Sequence, residues 1–207
     1  MAKKDFGELA TEKSINKAKE ALEKNGIVVL VLENGIEAKE KALQMIPQGV
    51  EIMNMSSVTV DSIGLAREIN ESGKYNSVRN KLVEMSRQSG IPPEAGKKLG
   101  AAPDWVIGSV HAVTEDGKVV VVSATGSQLP AYTYGSDHVI WVVGSQKIVK
   151  NIKEAFERIS EYVLPLENER AMKAYGRGSS VNKELVINKE VTSGRITMII
   201  VKEKLGF

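Results

Sequence analysis

Apolar positions recur at two different spacings along this chain, and the spacing separates helices from strands. Between Thr11 and Asn25, Ile15, Ala18 and Leu22 fall on one helical face, and Asn25-Gly26 supplies a stop, so the spacing predicts an amphipathic helix. Ile27 to Leu32 (IVVLVL) is apolar at every position, the signature of a strand covered on both faces. A second helix is predicted over Gly35 to Ile46, with Ala38, Ala42, Leu43 and Ile46 inward and Pro47 closing it, and a second strand over Val50 to Met55. This strand, helix, strand order predicts a right-handed crossover between parallel strands.

Further along, Val119 to Val122 and Val139 to Val143 are again apolar throughout, and both are expected at the centre of a parallel sheet covered by helices. A short helix is expected over Val60 to Ile69, and a helical insertion over about 71–103, where Leu82, Val83, Met85 and Leu99 need burial. Trp105 to Ile107 opens the second half, Glu115-Asp-Gly-Lys118 reads as a tight turn, and a helix over Asn151 to Val163 is expected to end at Pro165. In the tail, Glu184 to Ile187 and Ile196 to Val201, joined through Ser193-Gly194, are expected to pair antiparallel.

Composition narrows the function classes. The 207 residues are 42% hydrophobic and 26% charged, as in an ordinary globular protein, and the whole of 1–207 is expected to form a single domain. No apolar run is long enough to span a bilayer, and the lysines near the start precede no apolar segment of signal-peptide type. A cytoplasmic location without membrane insertion is therefore expected. There is no cysteine, and His111 and His138 are the two imidazoles, so neither a metal site nor a cofactor is expected from these residues. A net charge of +2 with dispersed lysines and ten aromatic residues, three Phe, five Tyr and two Trp, does not resemble a nucleic-acid binder.

Candidate chemistry sits beside the apolar strands. Ser123-Ala-Thr-Gly-Ser-Gln128 follows one of them, where open α/β sheets place ligands; Gly126, Ser127 and Gln128 offer backbone N–H groups and polar side chains to an anion. The plainer reading is a turn that needs glycine for its backbone. Ser56, Ser57 and Thr59 follow the Val50 to Met55 strand and offer hydroxyls to an anion, the plainer reading being helix caps. His111 and Glu115 are the candidate general acid and base, although Glu115-Asp-Gly-Lys also reads as an exposed turn. Lys147 follows the Val139 to Val143 strand, and Arg170 offers a fork for a carboxylate or a structural ion pair with Glu167. These residues together predict a pocket for a small carboxylate or phosphate. Neither a glycine-rich dinucleotide fingerprint nor a triad-type nucleophile motif is present.

The segments GSVHAVTEDG, SATGSQLPAYTYG, VIWVVGSQKIV, YVLPLENERAMKAYG and VNKELVINKE with GRITMIIVKEKLGF, in that order, resemble the LUD-domain, or lactate-utilisation protein C-like, family. NGIVVLVLENGIEAKEKAL and MSSVTVDSIGL extend the resemblance through nearly the whole chain. It implies a three-layer α/β fold, a mostly parallel sheet with helices on both faces, similar to ribose-5-phosphate isomerase, glucosamine-6-phosphate deaminase and CoA transferases. In those folds a carboxylate near the sheet edge often does the chemistry, and Glu115 is the nearest candidate here. The resemblance also implies an accessory, non-redox role in oxidising L-lactate to pyruvate beside separate iron–sulfur subunits. A stand-alone isomerase or acyl/CoA-transferase-like enzyme is the alternative. A bare interaction scaffold is a third reading, and it predicts a sealed loop around Gly126 with no cavity.

Overall fold

In the computed structural model, which describes residues 4–90 and 92–207, the chain opens with α1 (Glu12–Lys24), capped by the Thr11 side chain, which accepts from the Ser14 N–H. β1 (Val28–Leu32), α2 (Gly35–Met45) and β2 (Glu51–Asn54) follow. The single helix expected over Val60 to Ile69 is instead two, α3 (Val58–Ser62) and α4 (Leu65–Glu71). Gly64 separates them with φ +69°, a left-handed conformation that ends one helix before the next begins. After β3 (Asn76–Ser77), α5 (Val78–Arg87) and α6 (Pro93–Ala101) pack Leu82 and Leu99 against the core. Ile91 lies outside the described residues.

The remaining elements are β4 (Trp105–Gly108), β5 (Ala112–Thr114), β6 (Val119–Ser123), β7 (His138–Gly144), β8 (Ile148–Val149), α7 (Ile152–Arg158), α8 (Leu164–Tyr175), β9 (Lys183–Ile187) and β10 (Ile196–Val201). Pro165 does not end the α7 helix. A π-helical stretch, Ile159–Val163, carries it directly into α8, with the Leu164 N–H bonded to the Ile159 carbonyl. The wider turn lets Pro165, at the start of α8, enter a helix where its missing N–H is tolerated.

Six strands form a parallel sheet in the order β1-β10-β7-β4-β2-β3. Alternate residues of its strands enter two different cores. On one face Leu30, Ile52, Ile107, Ile140, Val142, Ile199 and Val201 pack with Ala38, Ala42 and Ile46 of the α2 segment and with Val60, Leu65 and Ile69 of α3 and α4. On the other, Val29, Met53, Val106, Trp141, Val143, Met198 and Ile200 meet Ile15, Ala18 and Leu22 of α1 and a second sheet. The result is a three-layer α/β architecture, as the resemblance implies.

The second sheet, ordered β8-β5-β6-β9, corrects two sequence expectations. Val119 to Val122 is not a strand of the parallel sheet; β6 runs antiparallel to β5 and β9. It reads as a two-faced buried strand because Val119 and Val121 enter the central core while Val120 and Val122 pack with Ala155 and Ile159 behind it. Burial on both faces, and not parallel pairing, produced the signature. The tail strands do not pair with each other either. β9 lies beside β6, whereas β10 is inserted between β1 and β7. All six residues of β10 are buried, and a two-stranded ribbon would have left half of them in water.

Candidate functional site

Strands β7, β4 and β2 are neighbours in the parallel sheet, so the segments leaving their carboxyl ends meet. β7 is followed by a 3-10 turn, Ser145–Lys147, that carries the chain into β8 of the second sheet. Ser109 follows β4, and Ser56, Ser57 and Thr59 follow β2. The Lys147 Nζ donates to Thr59 Oγ1 at 2.9 Å and to Ser109 Oγ at 3.0 Å. Thr59 Oγ1 in turn donates to the Leu205 carbonyl beyond β10 at 3.0 Å, and Gln146 Nε2 donates to the same oxygen at 2.9 Å. One polar cluster thus ties together the ends of four strands.

Lys147 is 2% exposed, and among the described residues no carboxylate pairs with it. Burial, with the nearby Arg158 guanidinium adding, holds its amine well below the ordinary lysine value, because the charged form loses its hydration. Arg158 is itself fully buried. Its Nη1 donates to the His111 carbonyl at 2.6 Å and its Nε to the Gln146 carbonyl at 3.3 Å. Its own value is lowered, to about 10, by burial, so the guanidinium keeps its charge at neutral pH. His111 accepts the Val122 N–H on Nδ1 at 3.1 Å. Its imidazole is pushed down to about 3, first by burial and then by Lys147 and Arg158. The ring is therefore neutral near pH 7, with its proton on Nε2, and is not a proton shuttle there.

Lys147, His111, Thr59 and Ser109 border a cavity of about 940 Å³, which is also lined by Ser56, Asp61, Arg79, Gly126, Tyr132, Arg170 and Phe207 among others. Arg79 reaches it from α5, donating through Nη2 to the Asn54 carbonyl at 2.8 Å and to Ser56 Oγ at 3.2 Å. Tyr132 closes one wall, its ring meeting Trp141 edge-on at 5.5 Å. Gly108 is required beneath it, since a Cβ there would overlap the Tyr132 hydroxyl. Burial raises the Asp61 carboxyl above its usual value, Arg79 and Arg170 opposing.

The family model for the LUD domain matches residues 15–201. This chain belongs to the LUD-domain family. A solved structure of a DUF162 family protein from Deinococcus radiodurans is similar in fold to this LUD domain, with a TM-score of 0.55 at 13% identity, over 94% of this chain and 99% of that one. No curated protein matches it.

Within the LUD domain, Ser56, Ser57, Thr59, His111, Gly126, Ser127, Gln128, Lys147 and Arg170, all singled out in the sequence, line one cavity. Several of them are already engaged. Gln128 Oε1 accepts from Ser123 Oγ and its Nε2 donates to the Val122 carbonyl, while the Gly126 N–H is bonded to Ser123 Oγ. Gly126 itself has φ +87°, which the turn demands of a glycine. The 123–128 loop therefore spends much of its polar capacity on its own fold. Arg170 forms a two-pronged ion pair with Glu167, both contacts at 2.7 Å, and Glu167 holds its charge on by raising its value.

Glu115 is not at the cavity. It lies in the turn between β5 and β6, accepting from Ser14 at 2.7 Å and Lys17 at 2.9 Å, contacts that lower its carboxyl value. His138 stacks on Trp105 with ring centroids 4.1 Å apart, at the opposite, amino end of β7. Among the described residues no group of three or more His, Cys, Asp or Glu is placed to hold a metal, and no described helix is long and apolar enough to cross a membrane.

Three residues of the site escaped the sequence reading. Ser109 had a signal, a hydroxyl directly after an apolar strand, as at Ser56. Arg158 had one too: it shares the helical face of Ala155 and Ile159, both buried, so a cation stood at a core position. Arg79 had none, because its approach depends on how α5 folds back over β2.

Proposed function

We propose that this LUD-domain chain is a non-redox component of L-lactate utilisation that binds a small organic anion in the 940 Å³ cavity, working beside separate iron–sulfur subunits in the cytoplasm. The observation that carries the reading is the convergence of Arg79, Lys147 and the hydroxyls of Ser56, Thr59 and Ser109 at the carboxyl ends of three adjacent strands, the edge at which open α/β sheets bind ligands. Arg79 is the carboxylate contact: it is half-buried, and unlike Arg170 its fork bonds a carbonyl and a hydroxyl, not an acid. The 207 residues contain no cysteine, so iron–sulfur electron transfer is assigned to the partner subunits.

Calorimetric titration with L-lactate, pyruvate and inorganic phosphate tests the reading. Saturable binding of a carboxylate that weakens about tenfold in Arg79→Ala is expected, the loss of one charge-assisted hydrogen bond. No binding of lactate or pyruvate, or equal affinity in both proteins, overturns it. The physiological arm is growth on L-lactate after removal of this chain alone, with the iron–sulfur subunits left intact.

A further inference from the structure

The buried amine at the cavity wall has an arrangement that suits it for more than bordering a bound anion. Lys147 directs two N–H groups at two hydroxyl oxygens, Thr59 Oγ1 and Ser109 Oγ. The Thr59 hydroxyl hydrogen is committed to the Leu205 carbonyl, so that oxygen receives and does not give. A neutral amine has two N–H donors and one lone pair. With both donors directed at these hydroxyls, the lone pair remains for an electrophile in the cavity that Lys147 lines. An ammonium at this place would need an acid, and among the described residues none pairs with it; the adjacent buried cation is Arg158.

We infer that Lys147 is a nucleophilic amine that condenses with the keto carbon of a 2-oxo acid held in the cavity. This inference rests on the carboxylate-binding reading above, which places the acid group at Arg79. The lone pair attacks the keto carbon, and a C–N bond forms as the carbonyl π bond opens. Both amine hydrogens then leave with the former carbonyl oxygen as one water, and a C=N bond remains. Uptake of one proton from solvent gives the iminium. Burial, which disfavours the charged amine, keeps the nucleophile available at neutral pH. L-Lactate has no keto carbonyl and cannot condense with the amine, so the site separates the 2-oxo acid from the 2-hydroxy acid by chemistry.

The test is reductive trapping of the full chain with pyruvate and sodium cyanoborohydride, read by intact mass and peptide mapping. A single adduct on Lys147, heavier by the mass of pyruvic acid less one oxygen, is expected, with none when L-lactate replaces pyruvate. Lys147→Met is expected to lose this adduct while remaining folded by circular dichroism. The wild-type peptide map decides the question even if that variant does not fold. Modification spread over surface lysines, or no adduct in protein that binds pyruvate by calorimetry, overturns the condensation and leaves the anion-binding reading standing. Failure of calorimetric binding by both acids overturns the two together.

Discussion

The Nζ of Lys147 lies 2.9 Å from Thr59 Oγ1, across 88 residues of sequence. That contact joins the turn after β7 to the helix start after β2, and it sets the character of the site: a long amine is withdrawn from water and offered hydroxyls instead of a carboxylate. Such an arrangement costs stability, as functional groups held away from their preferred solvent generally do.

Lys147→Met is accordingly expected to stabilise the fold, by on the order of 1 kcal/mol at pH 7. The folded amine value is depressed, so near neutrality the unfolded chain binds more protons than the folded one. Wild-type stability rises with pH toward the ordinary lysine value, where the unfolded amine also becomes neutral. The Met variant lacks this contribution. Urea unfolding of both proteins at pH 7 and pH 9 measures the difference.

His111 predicts a loss of stability on the acid side. Its folded value is about 3 against an ordinary 6.5, so below pH 6.5 the unfolded ring takes up a proton that the folded ring refuses. Stability falls from there toward pH 3, by at most about 1.4 kcal/mol per pH unit. His111→Asn keeps an acceptor for the Val122 N–H and has no such titration. Denaturation at pH 7, 5 and 4 is expected to show a shallower slope for the variant.

Arg170 and Arg79 both border the cavity but are expected to differ in binding. Because Glu167 already occupies the Arg170 fork, Arg170→Ala is expected to leave carboxylate affinity within about twofold. The pair is partly exposed, at 34% and 29%, so the cost to stability is below about 1 kcal/mol. A tenfold loss of affinity in calorimetry would show that the guanidinium releases Glu167 for the ligand.

Gly126→Ala tests whether the 123–128 loop is held by its backbone. With φ at +87° and the Lys183 stem 2.6 Å from where a Cβ would stand, the substitution is expected to cost about 1 kcal/mol or more. Thermal unfolding reads the cost directly. An unchanged midpoint would mean that the loop relaxes freely.

Much of the fold was legible in the sequence because burial leaves a local record. The apolar runs at β1, β2 and β7, the helical spacing of α1 and α2, and the hydroxyls following β2 are each determined by what a segment must hide or cap. Strand partnership leaves no such record. β6 and β7 read alike, yet β6 is antiparallel in the second sheet, because two-faced burial looks the same whichever sheet encloses it. β10 reads as one arm of a hairpin, yet its six buried residues lie between β1 and β7.

The candidate site divides in the same way. Lys147, Ser56, Thr59 and the Gly126 loop follow apolar strands in the order of residues alone, and the lack of cysteine removes thiolate chemistry within these 207 residues. The meeting of Lys147 with Thr59 and Ser109, the buried Arg158 beside it, and the binding of Glu115 to Lys17 and Ser14 away from the cavity come from packing between distant segments. The physical reason is that chemistry at a site depends on desolvation and on partners. Both are set by strand order and packing across tens of residues, whereas the sequence records locally only which segments must be buried.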